Sequence, residues 1–277
     1  MMLIEAKNLS VSYDKKVVVH NIDLHVNKGE ILSIVGPNGC GKSTVLKSLT
    51  RLLKPSGGDV LFEGKLIKKI STKDIAKRLA VLPQIRQTPE DFDVETLIRY
   101  GRYPHGNFSG KLNDEDRRII KWALKQTGMT HYKNQKLTQL SGGERQRAWI
   151  AMALAQKTDI IVLDEPTTFL DLSHQLEVLE LIKALNKTEN VTILMVLHDL
   201  NQAIRYSDRV YVMKRGNIIA EGKPEDVLSS KRLREVFHID SDFYTDFRND
   251  SPHFIAHRMK VEDHDSKCSA KRKKAIQ

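Results

Sequence analysis

Residues 31–44 read I-L-S-I-V-G-P-N-G-C-G-K-S-T, and this stretch decides the fold. Residues 31–35 form a short apolar run with β-branched members, which is typical of a buried parallel strand. Residues 36–43 follow the pattern Gly-x-x-x-x-Gly-Lys-Ser, and residues 44–53 have a helical pattern. Glycine N–H groups can surround a phosphate without Cβ clashes, and the positive end of the following helix favours the same anion. The stretch therefore predicts nucleotide binding by a phosphate loop.

Within this loop, Lys42 is expected to reach the β- and γ-phosphates, and the Ser43 hydroxyl suits Mg²⁺. The other residues predicted to contact the nucleotide are Gly36, Pro37, Asn38, Gly39, Cys40, Gly41 and Thr44. Because Cys40 lies inside the loop, we expect a bulky thiol reagent to block ATP binding.

Composition limits the class of protein. The chain has 277 residues, of which 40% are hydrophobic and 29% charged. This is enough for one large α/β domain or a domain with an inserted lobe. No apolar run approaches the ~18 residues of a membrane span. Residues 1–5 lack the pattern of a secretory signal, so the protein is expected to stay in the cytoplasm. The two cysteines exclude a disulfide framework, and no spacing indicates zinc.

The net charge of +10 is compatible with nucleic acid, an anionic membrane surface or a basic solvated surface. Part of it is concentrated in a tail, residues 261–277. Two interpretations of this tail stay open, a disordered solvated end and a contact with anionic lipid.

Alternating polar and apolar residues predict strands over 3–9 and 17–26, then a strand and turn over 59–65. A helix over 71–79 leads into an apolar strand that ends at Gln84. Residues 86–138 change character, with helices near 94–100 and over 113–128, the second capped by Asn113. This indicates a helical lobe inserted between the two halves of a parallel sheet.

The sheet pattern returns after residue 140. A glycine-containing turn, residues 140–144, precedes a helix that runs to residue 155. We call residues 140–144 the signature turn. Further predicted elements are a strand over 160–163, a helix over 172–185, a strand over 191–197, a hairpin over 209–221 and an exposed hairpin over 242–259.

Polar residues at the ends of these strands suit one reaction. Parallel strands place ligands at their carboxyl ends. There, Asp164 is suited to hold Mg²⁺, with Ser43, and Glu165 to accept a proton from attacking water. His198 can contact a γ-phosphate, and Gln84 can ligate Mg²⁺ or orient the water. Singly, each has a structural alternative, such as a helix cap; together behind a phosphate loop they favour phosphoanhydride hydrolysis.

The signature turn predicts a second anion site. Ser141, Gly142 and Gly143 place a hydroxyl and N–H groups at a helix N-terminus. One chain then has two anion sites, and a partner's nucleotide is a natural occupant of the second.

The phosphate loop, the signature turn, the strand with Asp164 and Glu165, and His198 together resemble an ATP-binding cassette (ABC) ATPase over residues 3–225. The resemblance implies an α/β, P-loop NTPase (RecA-like) core with an antiparallel β subdomain and an inserted α-helical signature subdomain. We expect an ABC ATPase domain over 3–240, with the helical subdomain at about 86–155. A C-terminal extension over 241–260 and the basic tail would follow.

The resemblance also implies roles. Tyr13 would stack on adenine, Gln84 would sense Mg²⁺, Glu165 would be the base, and His198 would contact the γ-phosphate. Asp171 would lie at the junction of a head-to-tail dimer in which Ser141 and Gly143 close over ATP bound to a second copy. ATP and Mg²⁺ are the implied cofactors. Position 144 is Glu where the commonest signature has Gln.

Within the family, residues 101–104, 165–175 and 197–203 look like importers of iron-siderophores, haem and cobalamin. We expect the ATPase of a ferric-siderophore importer of hydroxamate type. It would act on the cytoplasmic face of the membrane with separate permease subunits and, indirectly, an extracytoplasmic siderophore-binding protein. Haem or cobalamin import and an exporter with a separate permease remain alternatives. A nucleic-acid-associated ABC ATPase is disfavoured, because the coiled coil, zinc cysteines and second cassette of such members are missing. Residues near 84–110 would grip the permease, with Arg99, Arg102 and Tyr103 as candidates.

Overall fold

The computed structural model describes residues 1–14, 16–84, 91–106, 112–246 and 251–259. The predicted tail over 261–277, and parts of the predicted permease groove at 85–90 and 107–110, lie outside these residues. The strands are β1 (Met2–Tyr13), β2 (Lys16–Asn27), β3 (Ile31–Val35), β4 (Gly57–Phe62), β5 (Lys65–Leu66), β6 (Leu79–Leu82), β7 (Ile160–Asp164), β8 (Thr192–Val196), β9 (Arg209–Lys214), β10 (Asn217–Gly222), β11 (Ile239–Asp246) and β12 (Ser251–Met259). The helices are α1 (Lys42–Leu49), α2 (Thr72–Ala76), α3 (Val94–Tyr100), α4 (Asp114–Gln126), α5 (Gly142–Ala155), α6 (Leu172–Glu189), α7 (Leu200–Tyr206), α8 (Pro224–Val227) and α9 (Ser230–Phe237).

The strand before the phosphate loop lies inside a six-stranded sheet. Its order is β10-β9-β3-β8-β7-β6, and all neighbours are parallel except the β9–β10 pair at one edge. Every residue of β3, β7 and β8 is buried. This explains their unbroken apolar sequences, because both faces of a parallel sheet are covered. The α/β fold with a parallel core is confirmed.

The helix after the phosphate loop is held between two sheets. The second sheet is antiparallel, in the order β2-β1-β4-β5. Val45, Leu46 and Leu49 of α1 are buried in one apolar cluster with residues of both sheets. Because α1 is packed on both sides, the loop at its N-terminus has a fixed support.

Helices α3, α4 and α5 pack on one another beyond the sheet. Gly101 follows α3, and a Cβ there would lie 2.2 Å from the Met152 carbonyl oxygen of α5, so the chain must pass close to that helix. The predicted cap of α4 is confirmed, since Asn113 accepts the N–H of Asp116 at 2.7 Å.

Two helix boundaries differ from the prediction. Helix α2 ends at Ala76, because Arg78 turns to bind Glu63 and Asp159, at 2.6 and 2.8 Å. Helix α6 continues to Glu189 and ends at Asn190, whose left-handed φ of 52° is a common helix terminator.

The hairpin predicted to be exposed is formed by β11 and β12, but one of its faces is covered. Phe243 and Phe254 pair across the strands, with ring centroids 5.9 Å apart, and pack against the core. Asn201 of α7 donates to the Phe254 carbonyl at 3.1 Å and accepts from the Phe254 N–H at 3.0 Å. The predicted hairpin is confirmed and most of its described side chains are exposed; the half-buried Phe243 and Phe254 were not predicted. Residues 247–250, between the strands, are outside the described part of the chain.

No helix in the described ranges is both long enough and apolar enough to cross a membrane.

Candidate functional site

The phosphate loop joins β3 to α1 by close backbone contacts. A Cβ on Gly36 would lie 2.3 Å from the Met213 carbonyl oxygen, so only glycine fits there. Gly41 occupies the N-cap of α1 with φ +105°, which favours glycine. It provides no side-chain cap, and the first turn of α1 contains no acidic residue. The N–H groups of this helix start are therefore available to an anion.

Lys42 and Ser43 are the first residues of α1, and their side chains contact different groups. The Lys42 ammonium is buried and donates to the carbonyl oxygens of Gly36 at 2.8 Å and Pro37 at 3.1 Å. The Ser43 hydroxyl donates to Asp164 Oδ1 at 2.9 Å. Burial raises the pKa of Asp164, although the Ser43 hydrogen bond acts in the opposite direction. A buried carboxylate beside a hydroxyl is a suitable donor set for Mg²⁺, whose charge would relieve the cost of burial.

Glu165 follows β7 in a left-handed conformation, with φ 54°. Three side chains converge on its carboxylate. Gln84 donates its amide to Oε2, and the Thr168 hydroxyl donates to the same oxygen at 3.0 Å. His198 Nε2 contacts Oε1. The ends of β6, β7 and β8 thus bring Gln84, Glu165 and His198 together, as the sequence predicted.

These groups surround one cavity of about 430 Å³ beside the phosphate loop. Its lining residues are Val18, Asn38, Gly39, Gly41, Lys42, Ser43, Thr44, Gln84, Glu165 and His198. Tyr13, Ser141, Gly142, Gly143 and Asp171 do not line this cavity. Tyr13 ends β1 and is 45% exposed, without a stacking partner in the contacts of the described residues.

The signature turn is capped from within the chain. The Glu144 N–H donates to the Ser141 hydroxyl at 3.3 Å, and the Ser141 N–H donates to the Glu144 carboxylate at 2.8 Å. This reciprocal pair is a capping box. Hydrogen bonds from the Ser141 N–H and the Tyr132 hydroxyl lower the pKa of Glu144. The predicted second anion site therefore already contains a carboxylate.

The N-terminus of α6 lies against the same turn. A Cβ on Gly143 would lie 2.1 Å from the His174 ring, so the ring covers this glycine. Asp171 caps α6 and accepts from the backbone N–H of His174 at 2.9 Å, from its ring at 2.7 Å and from Ser173 at 2.9 Å. These bonds lower the pKa of Asp171 to about 2.

Cys40 is less accessible than its position in the loop implies. Its side chain is 4% exposed and belongs to the apolar cluster around α1. Burial raises the pKa of the Cys40 thiol, which leaves less of the reactive thiolate. We therefore expect the thiol to react slowly; that a bulky reagent attached to it blocks ATP binding stays a prediction.

The prediction that Arg102 contacts the permease was wrong. Its guanidinium is buried, pairs with Asp116 at 2.8 Å and donates to the Ala155 carbonyl at 2.8 Å. It joins the ends of α3, α4 and α5 inside the protein. Arg99 and Tyr103, the other two candidates, are exposed, Tyr103 by 82%.

Several polar contacts were missed from the sequence. The Ser-x-x-Glu spacing of residues 141–144 is a recognisable capping-box signal and was available. The Thr168 contact with Glu165 is a local contact within one turn, three residues apart. The side-chain network around Gln202, described below, depends on tertiary packing and leaves no local signal.

The site is that of a P-loop ATPase, and comparison with known proteins identifies its family. Residues 19–168, more than half of the chain, match the family described as ABC transporter. The chain is 49% identical to the iron(3+)-hydroxamate import ATP-binding protein FhuC of Bacillus subtilis, over 91% of this chain and 94% of the relative. It is 45% identical to the petrobactin import ATP-binding protein FpuC of Bacillus anthracis, over 97% and 98% of the two chains. The chain belongs to the ABC transporter family as an ATP-hydrolysing, ATP-binding subunit.

Solved structures agree. An inward-facing metal-chelate type ABC transporter matches with TM-score 0.81 and 28% identity, covering 93% of this chain and 98% of that one. The dimeric cassette MJ0796 in a post-hydrolysis state bound to ADP and Pi matches with TM-score 0.69 and 29% identity, over 80% and 99% of the chains.

Proposed function

We propose that this protein supplies ATP-driven motion to an importer of ferric siderophores of hydroxamate type, through a separate membrane permease. The observation that carries the proposal is similarity along nearly the whole chain to ATP-binding proteins named for hydroxamate and petrobactin import. The protein would be attached peripherally to the cytoplasmic face of the membrane, and a siderophore-binding protein outside would deliver the cargo. The cargo never contacts this subunit.

In the proposed reaction, Lys42 exchanges its loop carbonyls for phosphate oxygens of ATP, because an ammonium binds an anion more strongly than a neutral carbonyl. The N–H groups at the start of α1 hold the same phosphates. Tyr13, at the end of β1, would stack on the adenine.

Glu165 would accept a proton from the water that attacks the γ-phosphate. Since a carboxylate only accepts, the His198 Nε2 that contacts it must carry a proton. That single N–H cannot serve two strong acceptors, so a γ-phosphate oxygen would draw it away and leave Oε1 for water. Gln84 and Thr168 would keep the carboxylate oriented meanwhile.

Ser43, Asp164 and Gln84 would hold Mg²⁺ together with phosphate and water oxygens. Bound there, the ion supplies positive charge against the charge on the phosphates. The Ser43–Asp164 hydrogen bond keeps the two side chains side by side before binding.

The second anion site fits a head-to-tail dimer. Ser141 and Gly143 of one copy would close over ATP on the phosphate loop of another, with Asp171 at the junction. A similar cassette that is dimeric and bound to ADP and Pi supports dimerisation. The signature turn does not line the cavity of its own chain. In the proposed dimer its ligand would be the ATP bound to the other copy.

The permease would be gripped beside α3. Tyr100 and Tyr103 are large side chains exposed by 54% and 82%, and the neighbouring Arg99 is also exposed. Arg99→Ala with Tyr103→Ala should abolish transport and spare ATP hydrolysis by the isolated protein. Loss of both activities would refute a coupling role.

The function is tested by radio-iron uptake from several siderophores in cells that lack this chain. Wild type and Glu165→Gln are each returned to the cells. We expect uptake of at least one ferric hydroxamate to return only with wild type. Unchanged uptake in the deletion would refute the substrate class and would direct the assay to haem, cobalamin and export.

Glu165→Gln also tests the base in the purified protein. It should bind ATP, accumulate as a dimer and lose turnover by a factor on the order of 10²–10⁴. Turnover near that of wild type would mean that another group is the base.

A further inference from the structure

Behind the site, a chain of side-chain hydrogen bonds, buried at Thr167 and Gln202 and half-buried at Gln175, joins two loops. Gln202 of α7 is 7% exposed, and its carbonyl oxygen accepts from the Thr167 hydroxyl at 3.2 Å. Its amide donates to the Gln175 carbonyl oxygen of α6 at 2.7 Å. The Gln175 amide in turn donates to the Leu170 backbone carbonyl at 2.9 Å. The network begins and ends in the turn between Glu165 and Asp171.

The direction of this network is fixed at one end. A backbone carbonyl only accepts, so the Gln175 amide must face Leu170 and its oxygen must face Gln202. Gln202 must then present its amide to Gln175 and its oxygen to Thr167, which has a hydroxyl proton to donate. Turning over either glutamine amide would bring two like atoms together, so the network has one satisfied arrangement.

Gln202 is also linked to the loop that carries His198. Its backbone N–H donates to Asp199, the N-cap of α7, at 3.1 Å. His198 precedes this cap directly and contacts Glu165. The two loops are thus joined twice, once in the site through His198 and Glu165, and once behind it through Gln202 and Thr167.

We infer that Gln202 is a positioning residue for ATP hydrolysis, which holds the turn carrying Glu165 in register with the loop carrying His198. The inference rests on the roles proposed above for Glu165 and His198. Gln202 does not line the nucleotide cavity, so it acts through the loops. Its loss should reduce the chemical step and leave binding by the phosphate loop intact.

The first test is Gln202→Met, which keeps the length of the side chain and removes both hydrogen bonds. In steady-state hydrolysis by the purified protein, kcat should fall about five- to tenfold, because the turn that carries Glu165 is no longer held in its reactive position. KM for ATP should stay within about twofold of wild type. Arg205→Met on the same helix is the matched control, because it breaks the exposed ion pair with Glu180 and the guanidinium contact with the Tyr206 ring, both outside the network, and should leave kcat unchanged.

The second test is Gln202→Glu, which separates positioning from packing. Ionised, the new carboxylate can accept from Thr167 but faces the Gln175 oxygen without a proton; protonated, it can donate as the amide does. Thr167 and Gln175, the hydrogen-bond partners of this side chain, carry no charge, and the charged group in contact with residue 202 is the Asp199 carboxylate, which accepts its backbone N–H and disfavours a second negative charge. Relative to wild type at each pH, kcat should be lowered at pH 8, as in the Met variant, and should recover as the pH falls to 6.

A wild-type kcat in Gln202→Met, or the same relative kcat of Gln202→Glu at both pH values, would overturn the inference. If Gln202→Met does not fold, Thr167→Val and Thr167→Ser decide it. The valine should lower kcat, and the serine, which keeps the hydroxyl, should restore it; equal values would overturn the inference. Failure of the proposed catalytic roles is distinguishable, since it would appear as undiminished turnover in Glu165→Gln.

Discussion

Helices α1 and α5 both begin at glycine-containing turns, yet their N-termini are satisfied differently. At α1 the N-cap is Gly41, no side chain caps the helix and no acidic residue lies in the first turn. At α5 a capping box satisfies two N–H groups, because the Glu144 N–H donates to the Ser141 hydroxyl and the Ser141 N–H donates to the Glu144 carboxylate. The first N-terminus is open to phosphate, whereas the second holds an anion of its own.

This difference separates two tasks that the same local motif can perform. An open N-terminus binds an anion within a single chain. A self-capped one stays hydrogen-bonded in the monomer and exchanges its carboxylate for phosphate only when a second surface brings one. The α5 terminus is therefore suited to conditional binding between two copies.

Among the tests of this comparison between α1 and α5, the largest loss of ATP turnover is expected from a substitution at Gly143. A Cβ at this position would overlap the His174 ring, which must move together with the start of α6. Gly143→Ala should lower ATP turnover about 100-fold, the effect of a misplaced site, while ATP affinity measured by titration calorimetry stays unchanged. Removing the ring in Gly143→Ala/His174→Ala should recover part of the turnover. Weakened ATP binding in the single variant would remove the distinction between the two helix starts.

At α1 the opposite pattern is expected. Lys42→Met removes the buried ammonium that faces the loop carbonyls, and with it a charged hydrogen-bond donor to phosphate. ATP affinity of the monomer should fall about 10- to 100-fold in the same calorimetric titration. Ser141→Ala at the other helix start is the comparison and should leave monomer affinity as it is. Equal losses in both would mean that both N-termini bind the nucleotide of their own chain.

Glu144→Gln tests the self-cap directly. The amide keeps an acceptor for the Ser141 N–H but removes the negative charge. Thermal stability should fall slightly, because a carboxylate favours a helix N-terminus, while ATP-dependent dimerisation should strengthen about two- to fivefold. Dimerisation is measured by analytical ultracentrifugation with hydrolysis stopped by Glu165→Gln in both proteins. A weaker dimer would show that the carboxylate does not compete with phosphate.

The smallest effect concerns Asp171, which holds His174 beside the signature turn. Its pKa is lowered from 3.8 to about 2, so its deprotonated form stabilises the folded state. This contribution is complete above pH 3.8 and is lost as the pH falls from 3.8 towards 2. In Asp171→Asn, the melting temperature should fall less steeply than in wild type over that range. Parallel curves would assign the acid sensitivity to other carboxylates.

The sequence was sufficient wherever one physical rule decided the outcome. Strands β3, β7 and β8 are apolar throughout because both faces are covered, so pattern alone located them. The meeting of Gln84, Glu165 and His198 followed from the common edge at which parallel strands end.

It was insufficient where burial depends on a distant partner. Arg102 is a charged residue in a polar stretch, and only Asp116 and the Ala155 carbonyl make its burial possible. The low exposure of Cys40 was not predictable from its position in the loop, because the loop turns its side chain into the core while its neighbours line the cavity. The half-buried face of the β11–β12 hairpin depends on Asn201. Its side-chain amide donates to the Phe254 carbonyl and accepts from the Phe254 N–H, as the backbone of a neighbouring strand would.

The position of β3 has a consequence for synthesis of the protein on the ribosome. Its two neighbours in the sheet are β8 and β9, and the second ends at Lys214, 179 residues after Val35 (214 minus 35). At ribosomal rates of about 5–20 residues per second, the phosphate loop is synthesised roughly 10–35 s before the end of β9. Strand β3, which precedes the loop, therefore lacks its neighbours β8 and β9 during this time. During this interval the nascent chain contains the residues of the phosphate loop but not the sheet that positions them. Nucleotide recognition therefore begins only after most of the cassette has been translated.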